Sequence, residues 1–308
     1  MDAPLISIIT PSFNRAAMIA AAVESVCAQD YPNFEHIIVD GASSDNTLEV
    51  LSRRPHLCII SEPDRGMYDA INKGLRRARG EIIAWLNTDD VYPPGVFALV
   101  AEVFAAHPAA LAISGGAETY DDTPSGPRLV KTDRAIDKID FWRRIVEAPV
   151  PNGWFFKKNL FDKVGAFNPE FRLVADREFL IRVALAGIRP EPVGKVLYRY
   201  RMHAGSATFQ SEDSRHAVYG PRRMEVNRED LRMLDGFLIR PDLPAEVRRV
   251  MKRANDEYAY RLTATALYHQ RRESVQEGLR AGFRWNPLFP LAFIYFALRR
   301  ALQRSQNG

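Results

Sequence analysis

Two adjacent carboxylates, Asp89 and Asp90, stand just beyond a wholly apolar run from Ile82 to Leu86. Hard oxygen donors held together at a chain reversal suit Mg²⁺ or Mn²⁺ carrying a diphosphate. The same segment, Asn87-Thr88-Asp89-Asp90, equally suits a turn and helix cap, with Pro93-Pro94 at the helix start. Asp40 follows a second apolar run directly, where its carboxylate can accept from a base N–H or a ribose hydroxyl. Arg65 supplies fixed positive charge for phosphate, and Gly66 lets the backbone approach a ligand. Each residue alone has a bland reading as a cap or a surface ion pair. Their recurrence after successive strand-like runs is the stronger signal.

The elements that must position them are legible. Leu5 to Thr10, Phe34 to Val39, Leu57 to Ile60 and Ile82 to Leu86 read as strands, each followed by a polar loop and a stretch of helical spacing. Ile19, Val23 and Val26 mark the first helix, and Leu48 and Leu51 the second. The alternation predicts a mainly parallel α/β sheet flanked by helices, with its four loops on the ligand-binding edge. Neither a P-loop nor a GxGxxG fingerprint is present, which argues against ordinary ATPase and dinucleotide-binding readings. Leu111 to Ser114 and Val193 to Leu197 read as further strands, and Leu173 to Leu180 opens an amphipathic helix with acids at its start.

Ser7-Ile8-Ile9-Thr10-Pro11-Ser12-Phe13-Asn14-Arg15, Val39 to Thr47, Ser61 to Gly74 and Trp85 to Asp90 resemble, in order and spacing, the successive motifs of family 2 glycosyltransferases. The resemblance spans roughly residues 4–210, and implies the GT-A fold and inverting transfer from a nucleotide-diphosphate sugar. It implies that Thr10, Pro11 and Asp40 hold base and ribose, with Asn14 also in the substrate site. Arg65 and Lys73 would lie near the nucleotide, and Asp89 and Asp90 would form the metal motif for Mn²⁺ or Mg²⁺. This chain has Asn87 where many members have Asp, which leaves open which of Asp89 and Asp90 takes the metal and which the ribose. Asp176 corresponds to the family's base, with Glu178 as runner-up. A base must take the acceptor hydroxyl's proton, although an acid at a helix start equally describes a cap. His203 resembles a late histidine near metal or diphosphate, and Arg199, Arg201 and Ser206 are candidates for neutralising the leaving group. Trp154 is a candidate for stacking on a sugar, against membership of the core.

The 308 residues carry a net charge of +4, but residues 220–308 hold 17 Lys/Arg against 10 Asp/Glu, so the basicity is local. Residues 1–215 are expected to form the GT-A domain and 216–308 a basic helical extension, with a long apolar-periodic run from Val247 to Tyr268. No stretch reaches the length of a membrane span, no secretory leader is apparent, and Cys27 and Cys58 form no metal or disulfide pattern. A cytoplasmic protein is expected. Segment 285–304 is apolar, aromatic and then basic, a pattern that a peripheral helix at the inner face of a membrane and a packing surface, including that of a homo-oligomer, explain equally. The expected partners are a nucleotide-sugar donor and a glycan or lipid-linked acceptor, in polysaccharide or glycolipid biosynthesis, without nucleic acid. The rival readings are a nucleotidyltransferase, which would want a Gly-rich loop where Pro11-Ser12-Phe13-Asn14-Arg15 stands, and a non-catalytic nucleotide-sugar-binding or scaffold protein.

Overall fold

A computed structural model describes residues 3–123, 126–136, 141–147, 151–203 and 221–306. The chain divides into two compact units, residues 1–209 and 210–308. The domain boundary expected at 215/216, the composition change at Tyr219 and the candidate Ser206 lie outside the described residues.

The first unit alternates strand and helix: β1 (Ile6–Ser12), α1 (Ile19–Cys27), β2 (Phe34–Asp40), α2 (Thr47–Ser52), β3 (Leu57–Ser61), α3 (Met67–Arg77), β4 (Ile82–Trp85) and α4 (Val96–Ala106). After these come β5 (Ala112–Thr123), β6 (Gly126–Asp133), α5 (Phe141–Glu147), β7 (Trp154–Lys157), α6 (Asn159–Val164), α7 (Ala175–Leu185) and β8 (Glu191–Met202). Strands β3, β2, β1 and β4 are mutually parallel, so their carboxyl ends and the loops that follow share one sheet edge. β7 runs antiparallel to β4 and to β5, β6 is antiparallel to β5, and β8 is parallel to β5.

β1 and β4 are buried because both sheet faces are covered there, whereas β3, at the end of the sheet, is largely exposed. All seven residues of β1 and all four of β4 are buried. Polar residues inside this layer have partners: the Ser7 hydroxyl donates to Glu35 at 2.6 Å, and Thr10 Oγ1 lies 2.8 Å from His36 Nε2. Helix α3 lies close on the sheet because Gly74 has no side chain. A Cβ there would sit 2.4 Å from Ile9 Cγ2. The expected strand at Leu111 to Ser114 is the start of a twelve-residue β5, and the one at Val193 to Leu197 is the middle of a twelve-residue β8. β6 and β7 were not anticipated.

The second unit contains α8 (Pro221–Leu238), α9 (Ala245–Tyr268), α10 (Arg272–Trp285) and α11 (Phe289–Gln306). Helix α9 realises the long periodic run and buries Val247, Met251, Tyr258 and Leu262. Gly278 and Gly282 let α10 approach Thr263 and the Phe289 ring, which any Cβ would strike. Among the described residues no helix is long and apolar enough to cross a membrane.

His36 gives a stability test. Burial pushes its imidazole pKa down to about 3, so the folded chain holds it neutral while the unfolded chain protonates it below its ordinary value near 6.5. The unfolded state then binds the extra proton, and stability falls as pH drops from about 6.5 towards 3, with a slope of up to about 1.4 kcal/mol per pH unit from this group. Thermal unfolding between pH 7 and pH 4.5 should therefore show a smaller loss of Tm for His36→Gln than for the parent. Equal losses would remove His36 as a cause.

Candidate active site

Three loops at the carboxyl edge are fastened to one another. Ser12 and Asp40 end β1 and β2 opposite each other in register. Beyond them Asn14 takes a left-handed conformation, φ 53°, which asparagine tolerates better than most residues. Its N–H donates to Ser43 Oγ at 2.8 Å, and its side-chain oxygen accepts from the Ser44 N–H at 2.8 Å. The Arg15 N–H donates to Thr47 Oγ1 at 2.8 Å and the Ala16 N–H to Asp45 at 3.2 Å. Asp40 is wholly buried and accepts from the Ser43 N–H at 2.9 Å, the Ser61 hydroxyl at 2.8 Å and the Ser43 hydroxyl. Gly41 completes the closure, because a Cβ there would meet Asp64 Oδ2 at 2.6 Å and crowd the Phe13 ring.

The third loop leads into α3 through Gly66, φ 122°. Lys73 Nζ is 2.8 Å from Glu62 and donates to the Pro63 carbonyl at 2.6 Å, bracing that loop. The Arg65 guanidinium is 3.4 Å from Asp69 and otherwise open to solvent at the edge.

The loop after β4 carries the acids, which occupy different environments. Asp90 is 3% exposed. It accepts from the Tyr198 hydroxyl at 2.7 Å, Asn87 Nδ2 at 3.1 Å and the Arg201 N–H at 3.0 Å. Tyr198 in turn accepts from the Asn87 N–H at 3.2 Å and from Asn152 Nδ2 at 3.1 Å, and Asn152 Oδ1 takes the Trp85 indole N–H at 2.7 Å. Burial first, and then the neighbouring charge of Asp89, push the Asp90 pKa up to about 7 against the three donors that oppose the shift. Asp89 remains partly open and lies 3.0 Å from His203 Nε2 just beyond β8. The loop and β8 are further joined by paired backbone bonds between Val91 and Arg199, at 3.1 and 3.0 Å.

Asp176, on the first turn of α7, reaches the same neighbourhood. The buried Tyr68 hydroxyl on α3 is held well above its ordinary pKa by burial and then by the charge of Asp176, with which it shares a side-chain hydrogen bond. Tyr200 on β8 is raised by burial and then by the charges of both Asp90 and Asp176. The edge thus gathers a partly open Asp–His pair, a half-buried acid at a helix start and loops lined with hydroxyls.

The Asp89–His203 pair is suited to a divalent cation. One carboxylate and one imidazole match the donor preferences of Mn²⁺ and are compatible with Mg²⁺. Among the described residues no group of three or more His, Cys, Asp or Glu could hold a metal, so a cation here would draw its other ligands from a diphosphate and water.

The family model described as "Glycosyl transferase family 2" matches residues 7–165. The chain belongs to this family. A PGL/p-HBAD biosynthesis glycosyltransferase of Mycobacterium bovis is 32% identical over 191 residues, covering 59% of this chain and 70% of the relative. An uncharacterized glycosyltransferase of Mycobacterium tuberculosis is 36% identical over 193 residues, covering 60% and 70%. In fold the chain is similar to the mannosyltransferase PcManGT from Pyrobaculum calidifontis, solved with GDP-Man and Mn²⁺, with TM-score 0.56 and 20% identity over 96% of this chain and 86% of that one. It is also similar to S. aureus TarS 1–349 with UDP-GlcNAc, with TM-score 0.55 and 17% identity over 90% of each. Against the longer TarS chain it covers 54%. The expected GT-A architecture, with helices beyond the catalytic fold, is therefore present, and the chain is a glycosyltransferase.

Not every residue singled out in this glycosyltransferase by sequence faces the edge. Thr10 turns its hydroxyl to His36 within the sheet, although it and Pro11 line the end of β1. Trp154 is buried with its ring stacked on Phe156, so the core reading replaces sugar stacking. Glu178 is clamped by Arg182 at 2.7 and 2.9 Å, and Arg182 also holds the carbonyls of Val164 and Ala166, so Glu178 braces a turn. The Arg201 side chain pairs with Asp122 and the Arg199 side chain with Glu118, at 3.1 Å. Sequence reasoning missed Tyr198, Asn152, Tyr68 and Ser12. Ser12 is almost fully buried and its hydroxyl is without a partner, an orphaned group beside Asp40.

Tyr198 joins more of these segments than any other hydroxyl described above. Tyr198→Phe removes a donor to Asp90 and an acceptor for Asn87 and Asn152, leaving buried polar groups unsatisfied at about 1–3 kcal/mol. Denaturant titration should show a loss of that size. A change under about 0.5 kcal/mol would show that the hydroxyl is dispensable.

Proposed function

We propose that this glycosyltransferase inverts the anomeric carbon of a sugar moved from a nucleotide-diphosphate donor to an acceptor hydroxyl. The observation that carries the proposal is the placement of the Asp89–His203 pair and of Asp176 about one buried network at the carboxyl edge of the sheet. The base and ribose fall to the first three loops, where the exposed Phe13 ring and the backbone around Asn14 and Gly41 form the lining, above the buried, orphaned Ser12 hydroxyl. Pro11 shapes the end of β1, and Asp40 holds the loops together rather than offering a free carboxylate.

Asp89 and His203 would hold Mn²⁺ or Mg²⁺, and Asp90 sets the position of both. When bound, such a cation supplies positive charge that stabilises the diphosphate as it leaves. Arg65, fixed beside the third loop, offers further positive charge at the same edge. Asp176 accepts the proton of the acceptor hydroxyl as the oxygen attacks from the face opposite the nucleotide. The side-chain hydrogen bond with Tyr68 fixes the orientation of Asp176 for that transfer. The acceptor is a glycan or a lipid-linked glycan in this reading. The free and exposed Cys27 and Cys58 agree with a reducing cytoplasmic setting.

The relatives and structural neighbours support this class of donor by their names alone, as UDP-GlcNAc and GDP-Man in two of them. Calorimetric titration with UDP, GDP and dTDP, each with and without Mn²⁺, should show metal-dependent binding of one nucleotide, and binding of none by folded protein would overturn the proposal. With the matching donor, Asp176→Asn should keep nucleotide affinity while turnover falls by roughly 100-fold or more. Unchanged turnover would end the assignment of Asp176. His203→Ala should weaken Mn²⁺-dependent nucleotide binding by at least roughly tenfold while metal-free binding is unaltered. Equal weakening in both would place His203 outside the cation site.

A further inference from the structure

We propose that the outward face of α11, with the end of α10, is a docking surface for an anionic lipid bilayer. Helix α11 is apolar on more than one side. Its inward face seats Phe289 against Gly282, and sets Phe293 and Phe296 against Tyr260, with ring centroids 4.9 and 5.8 Å apart. That packing is complete without the outward side chains. Leu291 and Leu298 are 63% and 60% exposed, Leu288, Ile294 and Tyr295 are over half exposed, and Phe283 on α10 adds a ring that is 48% exposed. The spacing of positions 288, 291, 295 and 298 is that of one helical stripe, and no residue from 288 to 298 carries a charge.

The charges around this stripe select its occupant. After Glu277 the sequence contains Arg280, Arg284, Arg299, Arg300 and Arg304 and no acidic residue. Arg284 is itself paired with Asp235 on α8 at 2.8 Å, so the charge that decides is the run of arginines following the apolar stripe in sequence. An apolar stripe followed by arginines complements a bilayer surface, where apolar side chains enter the acyl boundary and guanidinium groups meet anionic headgroups. A second copy of the same face would set arginine against arginine, a repulsion that a symmetric dimer has to overcome. None of the described helices can span the bilayer, so the contact is interfacial. The surface lies wholly within the second unit and is independent of the donor and base assignments above.

The test is co-sedimentation of the full chain with vesicles of phosphatidylcholine alone or with 30% phosphatidylglycerol, at about 0.1 M and 0.5 M NaCl. The expected result is binding to the anionic vesicles alone, weakened by salt. Arg299→Gln/Arg300→Gln/Arg304→Gln should reduce partition by roughly 100-fold, since each arginine near an anionic surface contributes roughly fivefold. Leu291→Ser/Ile294→Ser/Leu298→Ser should reduce it by at least roughly tenfold, and since these side chains are exposed, circular dichroism should stay that of the parent. Equal binding to both vesicle types, or to neither, overturns the proposal. So does a parent that sediments as a dimer and becomes monomeric in the leucine/isoleucine variant, which would assign the stripe to a second copy. Nucleotide titration of the same samples reports the donor site separately.

Discussion

Asp90 is withdrawn from water and yet remains an acid, accepting hydrogen bonds from Asn87 on its own loop and from Tyr198 and Arg201 on β8. A buried carboxylate is costly unless its lone pairs are filled, and the three donors here come from positions as much as 111 residues away from it in sequence. The loop that presents Asp89 and the strand end that presents His203 are therefore located by one group. Chain reversals at a sheet edge are otherwise among the more variable parts of a fold. Here the reversal is tied into the core through Tyr198, Asn152 and Trp85, so the 3.0 Å approach of Asp89 to His203 rests on packed aromatic and amide groups.

A comparable arrangement holds the first three loops. Asp40 bonds to Ser43 and Ser61 and so draws the second and third loops together, while Asn14 binds the first loop to the second. Left-handed backbone at Asn14 and Ala42, φ 53° and 61°, is the local cost of that closure, and for Asn14 the hydrogen bonds to Ser43 and Ser44 offset it. Preorganisation of this kind means that a ligand meets loops already in place, and less of its binding free energy is lost in ordering them.

The strands β1 to β4 were legible because short runs rich in β-branched and apolar residues, punctuated by glycine, proline and acids and alternating with helical spacing, leave few alternatives to parallel strands. The family motifs were legible for the same reason, since each lies immediately after such a run. The remainder was hidden by distance along the chain. Nothing local to Tyr198 distinguishes it from the other aromatic residue of β8, Tyr200. Its role arises only where β8 meets a loop more than a hundred residues earlier. β6 is exposed along nearly its whole length and so lacks the apolar alternation that announces a strand. β7 is four residues inside an aromatic cluster, too short for a period to appear. Glu178 looked like an acid available for catalysis because Arg182, four residues on, could not be known to turn back onto it rather than outward to solvent.

Four aspartates identical in the sequence thus separate by environment. Asp40 and Asp90 are buried and supplied with three donors each, which fixes them as parts of the framework and leaves little lone-pair capacity for a ligand. Asp89 keeps part of its side chain in solvent beside an imidazole, and Asp176 is half-buried at a helix start where the free amides favour its anion. Negative charge left on Asp89 raises the cost of ionising Asp90, and a cation at Asp89 would relieve it. A cation held there and full ionisation of the buried acid would therefore support each other.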